Sequence, residues 1–361
     1  MSDANELISF IASMSGEGNL RVEENLGEGY VRLRVSEAER RQAKHDIQHV
    51  EDIVIEMLRN ARDAGADKVY LATTKEDGVR TLVFLDNGSG VPQDMQERIF
   101  DARVTSKLES MKMDRWGVHG RGMALFSIKQ NTDEARVVAS DVDLGSVFKV
   151  SVATDRLGER ADQSSWPQAV KDEDGHYVCA RGPHNIIRAA CEFALEELRA
   201  CDVYLGSPSE IAATLHAQAS SRLDASRLLF IDDEAELPVV DRLGLASDAE
   251  DFIRICSGLG LEMSERTAHR ILAGQIKPVR GVTARLLRER DSSSHAPAPV
   301  DLAKDRRGLR IAKDDIAQFS RAVERDFNDL AARYYLNLCG DPKIRVSRDR
   351  ITVTFDLAKE E

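Results

Sequence analysis

The stretch Glu56-Met-Leu-Arg-Asn60-Ala-Arg-Asp63-Ala-Gly65-Ala66 decides the fold of this 361-residue chain, together with two motifs that follow it. The second motif is Asp86-Asn-Gly88-Ser-Gly90, and the third is Gly117-Val-His-Gly120-Arg-Gly122. The first places a carboxylate and an amide one helical turn apart. The second places a carboxylate on a glycine turn, and the third is a glycine loop that opens a helix. Each motif alone is weak, but their order along the chain is informative.

The composition is that of a globular protein, with 42% apolar and 31% charged residues in a chain long enough for two or three domains. No run of eighteen apolar residues and no basic N-terminal segment occurs, so we expect neither a membrane span nor a signal peptide. Five cysteines without a CxxC pair favour a reducing, cytoplasmic location over a disulfide frame or a zinc site. The net charge of -12 argues against general nucleic-acid binding but leaves room for a local basic patch.

Hydrophobic periodicity predicts an α+β fold, in which helices pack on one face of a mixed sheet up to about residue 154. The predicted elements of this part are a short helix at 5–14, a hairpin at 19–36, a helix at 37–63 ended by Gly65, strands at 68–73 and 80–85, a helix from Gly122 to about 129, and a hairpin of 134–140 and 146–153. Later predicted elements are a helix at 186–199, a strand at 202–205, helices within 246–290, a linker at 291–299, a helix at 314–338 and a hairpin of 343–346 and 351–355.

Glu56 and Asn60 leave the same face of the first motif's helix. A carboxylate there can accept a proton from a water molecule that attacks a γ-phosphate. The amide oxygen of Asn60 can hold Mg²⁺, which prefers oxygen ligands and shares them with phosphates. Asp63 can frame the site one turn further along. The alternative is an ordinary solvated helix face.

Asp86 follows a strand, where its carboxylate can accept a hydrogen bond from an exocyclic amine such as that of adenine. Gly88 and Gly90 would let the backbone approach a flat ring, because neither has a Cβ. The alternative is a plain turn, since Asn-Gly is a common turn dipeptide.

The glycine loop can direct backbone amides at an anion at the start of a helix. Thr105 and Lys107 lie upstream, where a hydroxyl and an ammonium could reach the outer phosphate; an ordinary surface lysine is the alternative. The residues that we expect near the phosphates are Thr105, Lys107, Gly117, Val118, His119, Gly120, Arg121, Gly122 and Met123.

Glu56…Asn60, Asp86-x-Gly88-x-Gly90 and Gly117-x-x-Gly120-x-Gly122 resemble the N, first glycine and second glycine boxes of the GHKL ATPase superfamily, which has the Bergerat fold. The superfamily includes B subunits of type II topoisomerases, heat-shock chaperones, MutL proteins and histidine kinases. The resemblance implies ATP and Mg²⁺ as ligands, with Glu56 as general base, Asn60 as Mg²⁺ ligand and Asp86 as adenine contact. It also implies a lid at about 92–116, in which Lys107 acts on the phosphates.

The hydrolytic branch of the superfamily fits better than the kinases. Kinases phosphorylate a histidine well upstream, whereas His45 and His49 precede Glu56 by only eleven and seven residues and are predicted on the same helix. The resemblance to MutL and topoisomerase VI B implies ATP-driven homodimerisation, in which residues 1–36 could act as a strap.

A basic segment follows the ATPase-like part. Between Ser264 and Arg290 there are seven Lys or Arg residues and two acidic ones. The segment is similar to the helix-two-turns-helix module of topoisomerase VI B subunits, and a helical connector with a solvated basic face is the alternative. If the similarity holds, the candidates for contacting DNA phosphates are Arg266, Arg270, Lys277 and Arg280.

The sequence thus predicts a Bergerat-fold α/β sandwich followed by a helical module and a short C-terminal α+β segment. The predicted divisions are a strap at 1–36, a GHKL ATPase domain at 37–154, an α/β extension at 155–245, a helical module at 246–290, and a linker with a terminal helix and hairpin at 291–361. We predict the ATPase subunit of a DNA-associated, topoisomerase VI B-like complex, with a separate cleavage or effector subunit. The alternative is a nucleotide-dependent scaffold, or a signalling or defence protein, with little hydrolysis and no DNA role.

Overall fold

The computed structural model describes residues 22–106, 112–114, 117–119, 122–198, 200–223, 231 and 233–293, and short stretches between 315 and 359. The chain divides into two units, Met1–Asp291 and Ser292–Glu361. The helix predicted at 5–14 lies outside the described residues.

The first unit holds most of the secondary structure. Its strands are β1 (Val22–Gly27), β2 (Tyr30–Leu33), β3 (Lys68–Glu76), β4 (Val79–Asp86), β5 (Val104–Thr105), β6 (Lys112–Asp114), β7 (Gly117–His119), β8 (Glu134–Ser140), β9 (Ser146–Ala153), β10 (Gln168–Lys171), β11 (Tyr177–Arg181) and β12 (Asp202–Gly206). Its helices are α1 (Glu37–Asp46), α2 (Val50–Asp63), α3 (Ala124–Asn131), α4 (Ile186–Glu196), α5 (Pro208–Arg222), α6 (Ala249–Gly258), α7 (Glu265–Leu272) and α8 (Val282–Ser293).

A five-stranded mixed sheet in the order β12-β3-β4-β9-β8 forms the centre of this unit. The strands β3, β4, β9 and β8 pair antiparallel, whereas β12 pairs parallel to β3, with Val203 opposite Val69. The strands β3, β4, β8 and β9 occupy the predicted places, and the predicted mixed sheet is confirmed.

Helices cover both faces of the sheet. Alternation along β4 sends Leu82 and Phe84 into the core beneath α2, α3 and α4, and sends Val83 and Leu85 into a second core with α5, α6 and α7. Within the segment 37–154 the packed helices therefore lie on one face, as predicted. The helices of the other face come from residues after 207, so helices pack on both faces of the sheet.

The predicted helix at 37–63 is wrong in one respect, because it is two helices. The break at 47–49 arises from Asp52, whose Oδ2 accepts hydrogen bonds from the backbone N–H groups of Gln48 and His49 at 2.8 and 2.9 Å. An acceptor that caps these groups begins a new helix rather than continuing the old one. His45 thus lies in α1, and His49 is the N-cap of α2.

The first part of the predicted lid is packed rather than free. Met95, Ile99 and Phe100 are buried in the core, and β5 pairs with β2, where Thr105 lies opposite Val31. The sequence predicts a short helix at 94–100 within this stretch, and the structure has two short 3-10 helices there, Gln93–Met95 and Arg98–Phe100. Their buried apolar side chains pack the segment against the core as far as β5. Residues 107–111 lie outside the described part of the chain.

Three further differences concern segments with weak sequence patterns. Strands β10 and β11 form a hairpin that was not predicted. Helix α8 runs through Ser293 and so takes in the first three residues of the predicted linker. Leu336–Leu338 is a strand, so the prediction of helix as far as residue 338 is wrong there.

The second unit contains β13 (Leu336–Leu338), β14 (Lys343–Val346), β15 (Ile351–Thr354) and β16 (Leu357–Lys359). Strands β14 and β15 pair antiparallel, which confirms the predicted hairpin, and β13 pairs with β16. The rings of Phe327 and Phe355 stack with centroids 4.0 Å apart.

Four of the five cysteines fall within the described residues, where each is buried: Cys179, Cys191, Cys201 and Cys256. Burial raises the pKa of the Cys256 thiol to about 12, so it stays protonated at neutral pH. Among the described helices, none has both the length and the apolar character needed to cross a bilayer.

Candidate functional site

A cavity of about 480 Å³ lies between α2, the ends of β4 and β9, and the segment around β5. It brings together residues from all three sequence motifs. The predicted site residues that line it are Glu56, Asn60, Asp63, Asp86, Gly90, Thr105, Gly122 and Met123. Gly88 is not among the lining residues.

Helix α2 presents Glu56 and Asn60 to this cavity. An apolar face of the helix packs into the core through Val50, Ile53, Val54, Met57, Leu58 and Ala61. Gly65, with φ of +75°, follows the C-cap and stops the helix. The strong apolar stripe therefore fixes the rotation of α2, and the two polar side chains one turn apart face the cavity.

The side-chain amide nitrogen of Asn60, Nδ2, is buried and finds no hydrogen-bond partner among the residues that the structure describes. A buried amide group without a hydrogen-bond partner costs about 1–3 kcal/mol. Rotating the amide by half a turn exchanges its nitrogen and oxygen, so that the oxygen takes the position without a partner. An amide oxygen beside phosphates is a suitable ligand for Mg²⁺, so this position fits the ion that the sequence motifs imply.

Glu56 is held by a neighbouring arginine that the sequence analysis did not single out. Arg59 Nη1 donates to Glu56 Oε1 at 2.8 Å, and the Arg59 side chain is 4% exposed. The spacing i, i+3 on a helix was the signal that could have identified this pair. The guanidinium orients the carboxylate and also draws on the lone pair with which it would accept a proton.

Asp63 is engaged at the end of the same helix. Its Oδ1 accepts from Arg62 Nε at 3.1 Å, and Arg62 Nη1 donates to Glu197 Oε1 at 3.1 Å. The Asp63 side chain is only 4% exposed. Asp63 therefore shapes the cavity wall while its charge is balanced by Arg62.

Asp86 is the last residue of β4 and is buried, with 4% of its surface exposed. Its Oδ1 accepts a hydrogen bond from the backbone N–H of Gly88 at 2.8 Å. Ser146 lies opposite Asp86 on β9 and also lines the cavity. Ser146 was missed, although the register of the predicted hairpin could have placed it beside the end of β4.

The two glycines after Asp86 let the turn pack against other parts of the protein. A Cβ at Gly88 would lie 2.8 Å from the backbone oxygen of Ala64, and one at Gly90 would lie 1.8 Å from that of Asp141. Gly90 also has φ of +71°. Because neither glycine has a Cβ, the turn can pack closely between the end of α2 and the β8–β9 bend. This packing holds Asp86 at the cavity.

The third motif is described only in part. Gly117–His119 forms β7, which pairs with β6, and Gly122 lines the cavity just before α3. Gly122 has φ of +67°, and a Cβ there would lie 2.9 Å from the backbone oxygen of Val104. The other predicted phosphate residues Lys107, Gly120 and Arg121, and the side chains of Val118 and His119, lie outside the described part.

The charge of the described cavity lining is mainly acidic. Its carboxylates belong to Glu39, Asp46, Glu56, Asp63 and Asp86, and its guanidinium groups to Arg59 and Arg103. A polyphosphate in such a cavity would be repelled by the carboxylates unless cations and hydrogen-bond donors compensate them. The two arginines are therefore important for any anionic ligand.

The predicted DNA residues lie elsewhere on the first unit. Arg266 and Arg270 are exposed one turn apart on α7, while Ala268 and Ile271 of the same helix are buried. Lys277 and Arg280 are also exposed in the segment that follows. The four cations are free to reach a ligand in solvent, and the same exposure is typical of a solvated helix face.

The segment that carries the sequence motifs is similar to known proteins. Residues 47–140 match the model of a family described as histidine kinase-, DNA gyrase B- and HSP90-like ATPase. Residues 47–140 are therefore similar to the GHKL ATPase superfamily. The match runs from just before α2 to the end of β8, and so contains Glu56, Asn60 and Asp86.

The curated proteins similar to this chain include the DNA mismatch repair MutL proteins of Staphylococcus aureus strains Newman, JH1 and Mu3. Each is 28% identical over 136 residues, which cover 35% of this chain and 20% of the relative. The chain thus spans about a fifth of the length of the curated relatives it matches. The likeness to MutL within the superfamily agrees with the sequence analysis.

Proposed function

We propose that this chain binds ATP with Mg²⁺ in the cavity beside α2 and hydrolyses it slowly as part of a molecular switch. The observation that carries the proposal is that Glu56, Asn60 and Asp86, from two separate motifs, line one cavity. The cavity volume of about 480 Å³ falls within the usual range for small-molecule sites.

Each of the three side chains has a chemical role in this proposal. Asp86 accepts a hydrogen bond from the adenine amine at the buried end of the cavity. Asn60 provides an oxygen ligand, and the Mg²⁺ it helps to hold offsets phosphate charge when bound. Glu56 orients the attacking water and accepts its proton. The glycine loop that ends at Gly122 supplies backbone donors to the phosphates.

We further propose a cytoplasmic homodimer that forms through the N-terminal segment when ATP binds, and that works with a separate effector or cleavage subunit on DNA. The support is the resemblance to MutL and topoisomerase VI B, together with the exposed cations Arg266, Arg270, Lys277 and Arg280. DNA contact through these cations would be largely independent of sequence, because phosphates carry the same charge at every base.

One observation favours the second candidate function, a nucleotide-dependent scaffold with little hydrolysis. Arg59 holds Glu56 through a 2.8 Å ion pair, and a carboxylate so engaged is a poorer proton acceptor than a free one. In this case nucleotide binding rather than turnover would control the partner. The same cavity serves both functions, so binding alone does not distinguish them.

The test compares turnover and binding in matched variants. Glu56→Ala should abolish steady-state phosphate release while the affinity for ATP stays within about threefold of wild type, because the carboxylate acts on water rather than on adenine. Glu76→Ala, an exposed glutamate at the end of β3, is the control and should change neither quantity. Wild-type turnover that is no faster than that of Glu56→Ala would favour the scaffold. Loss of ATP binding in Glu56→Ala with retained folding would contradict the assigned role.

A further inference from the structure

Arg103 occupies an unusual position at the edge of the cavity. It has φ of +61°, which a non-glycine residue rarely adopts, and only 5% of its surface is exposed. Its backbone N–H donates to the oxygen of Gly122 at 2.9 Å, and its own oxygen accepts from the N–H of Leu33 at 3.0 Å. These bonds hold Arg103 between the β2 strand and the glycine motif despite the cost of its left-handed backbone conformation.

The Arg103 side chain is only partly satisfied by the protein. Its Nη2 donates to Glu39 Oε1, and the Glu39 carboxylate is itself held by Ser36 at the start of α1. Its Nε is buried and finds no hydrogen-bond partner among the described residues. A buried donor left without an acceptor destabilises the folded protein, and does so more when it belongs to a charged group.

The cavity that Arg103 lines indicates which ligand its guanidinium would bind. Arg103 lines the cavity together with Thr105 and Gly122, the residues that the sequence places beside phosphates. A guanidinium presents donors in a planar fork that matches phosphate oxygens, and it stays charged at all physiological pH values. Because the cavity lining is mainly acidic, such a cation would offset the repulsion between the carboxylates and a polyphosphate ligand.

We propose that Arg103 is a phosphate-binding residue of the cavity, with Glu39 fixing one end of its guanidinium. The inference rests on the proposed function, because the phosphate is that of the bound nucleotide. Neither the three sequence motifs nor the spacing around Thr105 pointed to this arginine. The competing explanation is that Arg103 only ties α1 to the rest of the unit through Glu39.

The experiment measures the affinities of ATP, ADP and adenosine by competition against a fluorescent ATP analogue. Arg103→Met should weaken ATP and ADP by roughly 10- to 100-fold and leave adenosine within about twofold, since one charge-assisted bond to phosphate is lost. Arg103→Lys keeps a charge for Glu39 but lacks the fork, and should weaken ATP by about threefold or more. Both replacements keep an L side chain at the same φ.

The matched control is Arg32→Met. Arg32 lies on the adjacent strand β2 and pairs with Glu24 at 2.8 Å and Asp101 at 3.1 Å, but it does not line the cavity. All three affinities should stay at wild-type values in this variant. Circular dichroism and a thermal melt of every variant accompany the titrations.

The outcomes separate the inference from the function on which it rests. If the wild type binds ATP and folded Arg103→Met binds it equally well, Arg103 is only a structural tie and the inference is overturned. Equal losses of ATP and adenosine would also overturn it, because that pattern reports a cavity that has lost its shape. If the wild type binds none of the three ligands, the proposed function itself fails. If Arg103→Met does not fold, the ratio of ATP to adenosine affinity in Arg103→Lys decides instead. A ratio lower than that of the wild type supports phosphate binding, and an unchanged ratio supports the structural tie.

Discussion

Asp86 and Ser146 occupy partnered positions on β4 and β9, so that both side chains lie at the same end of the cavity. The pairing continues without a break along both strands to Val79 and Ala153. A regular antiparallel ladder therefore sets the position of the two polar groups. The rigid sheet on one side and α2 on the other give the cavity fixed walls.

Changes at this pair should alter nucleotide affinity in a graded way. We expect Asp86→Asn to weaken ATP and adenosine alike by roughly 10- to 100-fold, because the base loses a charged acceptor. Ser146→Ala should weaken nucleotide binding by about three- to tenfold, which is the loss typical of one neutral hydrogen bond. Competition titrations check both values. Asp77→Asn, at the exposed β3–β4 turn, serves as the control. An adenosine affinity unchanged by Asp86→Asn would exclude the adenine role.

Gly90 should be far less tolerant of a side chain than Gly175, a glycine of positive φ with open space around it. We expect Gly90→Ala to lower the free energy of unfolding by at least about 3 kcal/mol, since its Cβ would meet the Asp141 oxygen at 1.8 Å. Gly175 also has a positive φ, of +84°, but a Cβ there would meet nothing within 4 Å. Gly175→Ala should therefore lower the free energy of unfolding by only about 1 kcal/mol. Urea denaturation measures the difference. Similar costs in the two variants would mean that the turn is not packed as described.

Glu159 should make stability depend on pH. Its carboxylate accepts from Arg80 Nε at 2.8 Å and Lys75 Nζ at 2.7 Å. Burial alone would raise the pKa of Glu159, but the hydrogen bonds from Arg80 and Lys75 and their positive charges outweigh it, and the pKa is lowered. The resulting stabilisation is present above the unfolded pKa of about 4.3 and is lost as pH falls through the folded pKa.

We therefore expect Glu159→Gln to lower the free energy of unfolding by about 1–3 kcal/mol at pH 7, and by progressively less below about pH 4. Glu134→Gln breaks an exposed pair with Arg136 and should cost under about 1 kcal/mol. Denaturant titrations across this pH range give both curves. A Glu159→Gln deficit that stays constant down to pH 3 would rule out the ionic contribution.

The basic surface of α7 and the segment after it provides the test of DNA contact. We expect the triple change of Arg266, Arg270 and Lys277 to Glu to weaken binding of duplex DNA at least about tenfold at low salt, and to flatten the salt dependence. The control reverses three exposed cations elsewhere, Arg160, Lys171 and Arg181, with the same net charge change. Anisotropy titrations at several salt concentrations give both quantities. Equal losses in the two triple variants would show that only the overall charge matters.

The parts of the fold that depend on local pattern were predictable from the sequence. The alternation in β4 and in the β8–β9 hairpin, and the apolar stripe of α2, locate the sheet and the helix that carries Glu56 and Asn60. The turn of Asp86 then follows from its place at the end of β4. These elements hold most of the candidate site because their local and long-range preferences agree.

The parts that were missed depend on contacts between distant residues. Asp52 ends α1 and begins α2 through two hydrogen bonds that no periodicity reveals. The two-residue strand β5 exists only because it pairs with β2, about seventy residues earlier. No sequence motif includes Arg103, and its burial and its contact with Glu39 depend on the packing of α1 beside it. Long-range pairing of this kind is not encoded in a local pattern.

A calorimetric titration of a non-hydrolysable ATP analogue into the folded wild-type chain, with and without Mg²⁺, tests whether Glu56, Asn60 and Asp86 surround one nucleotide. We expect saturable binding of one nucleotide per chain, and stronger binding when Mg²⁺ is present. Asn60→Ala should remove the Mg²⁺ effect. The absence of any binding heat from the folded wild type at several temperatures, with Mg²⁺ present, would exclude this nucleotide site.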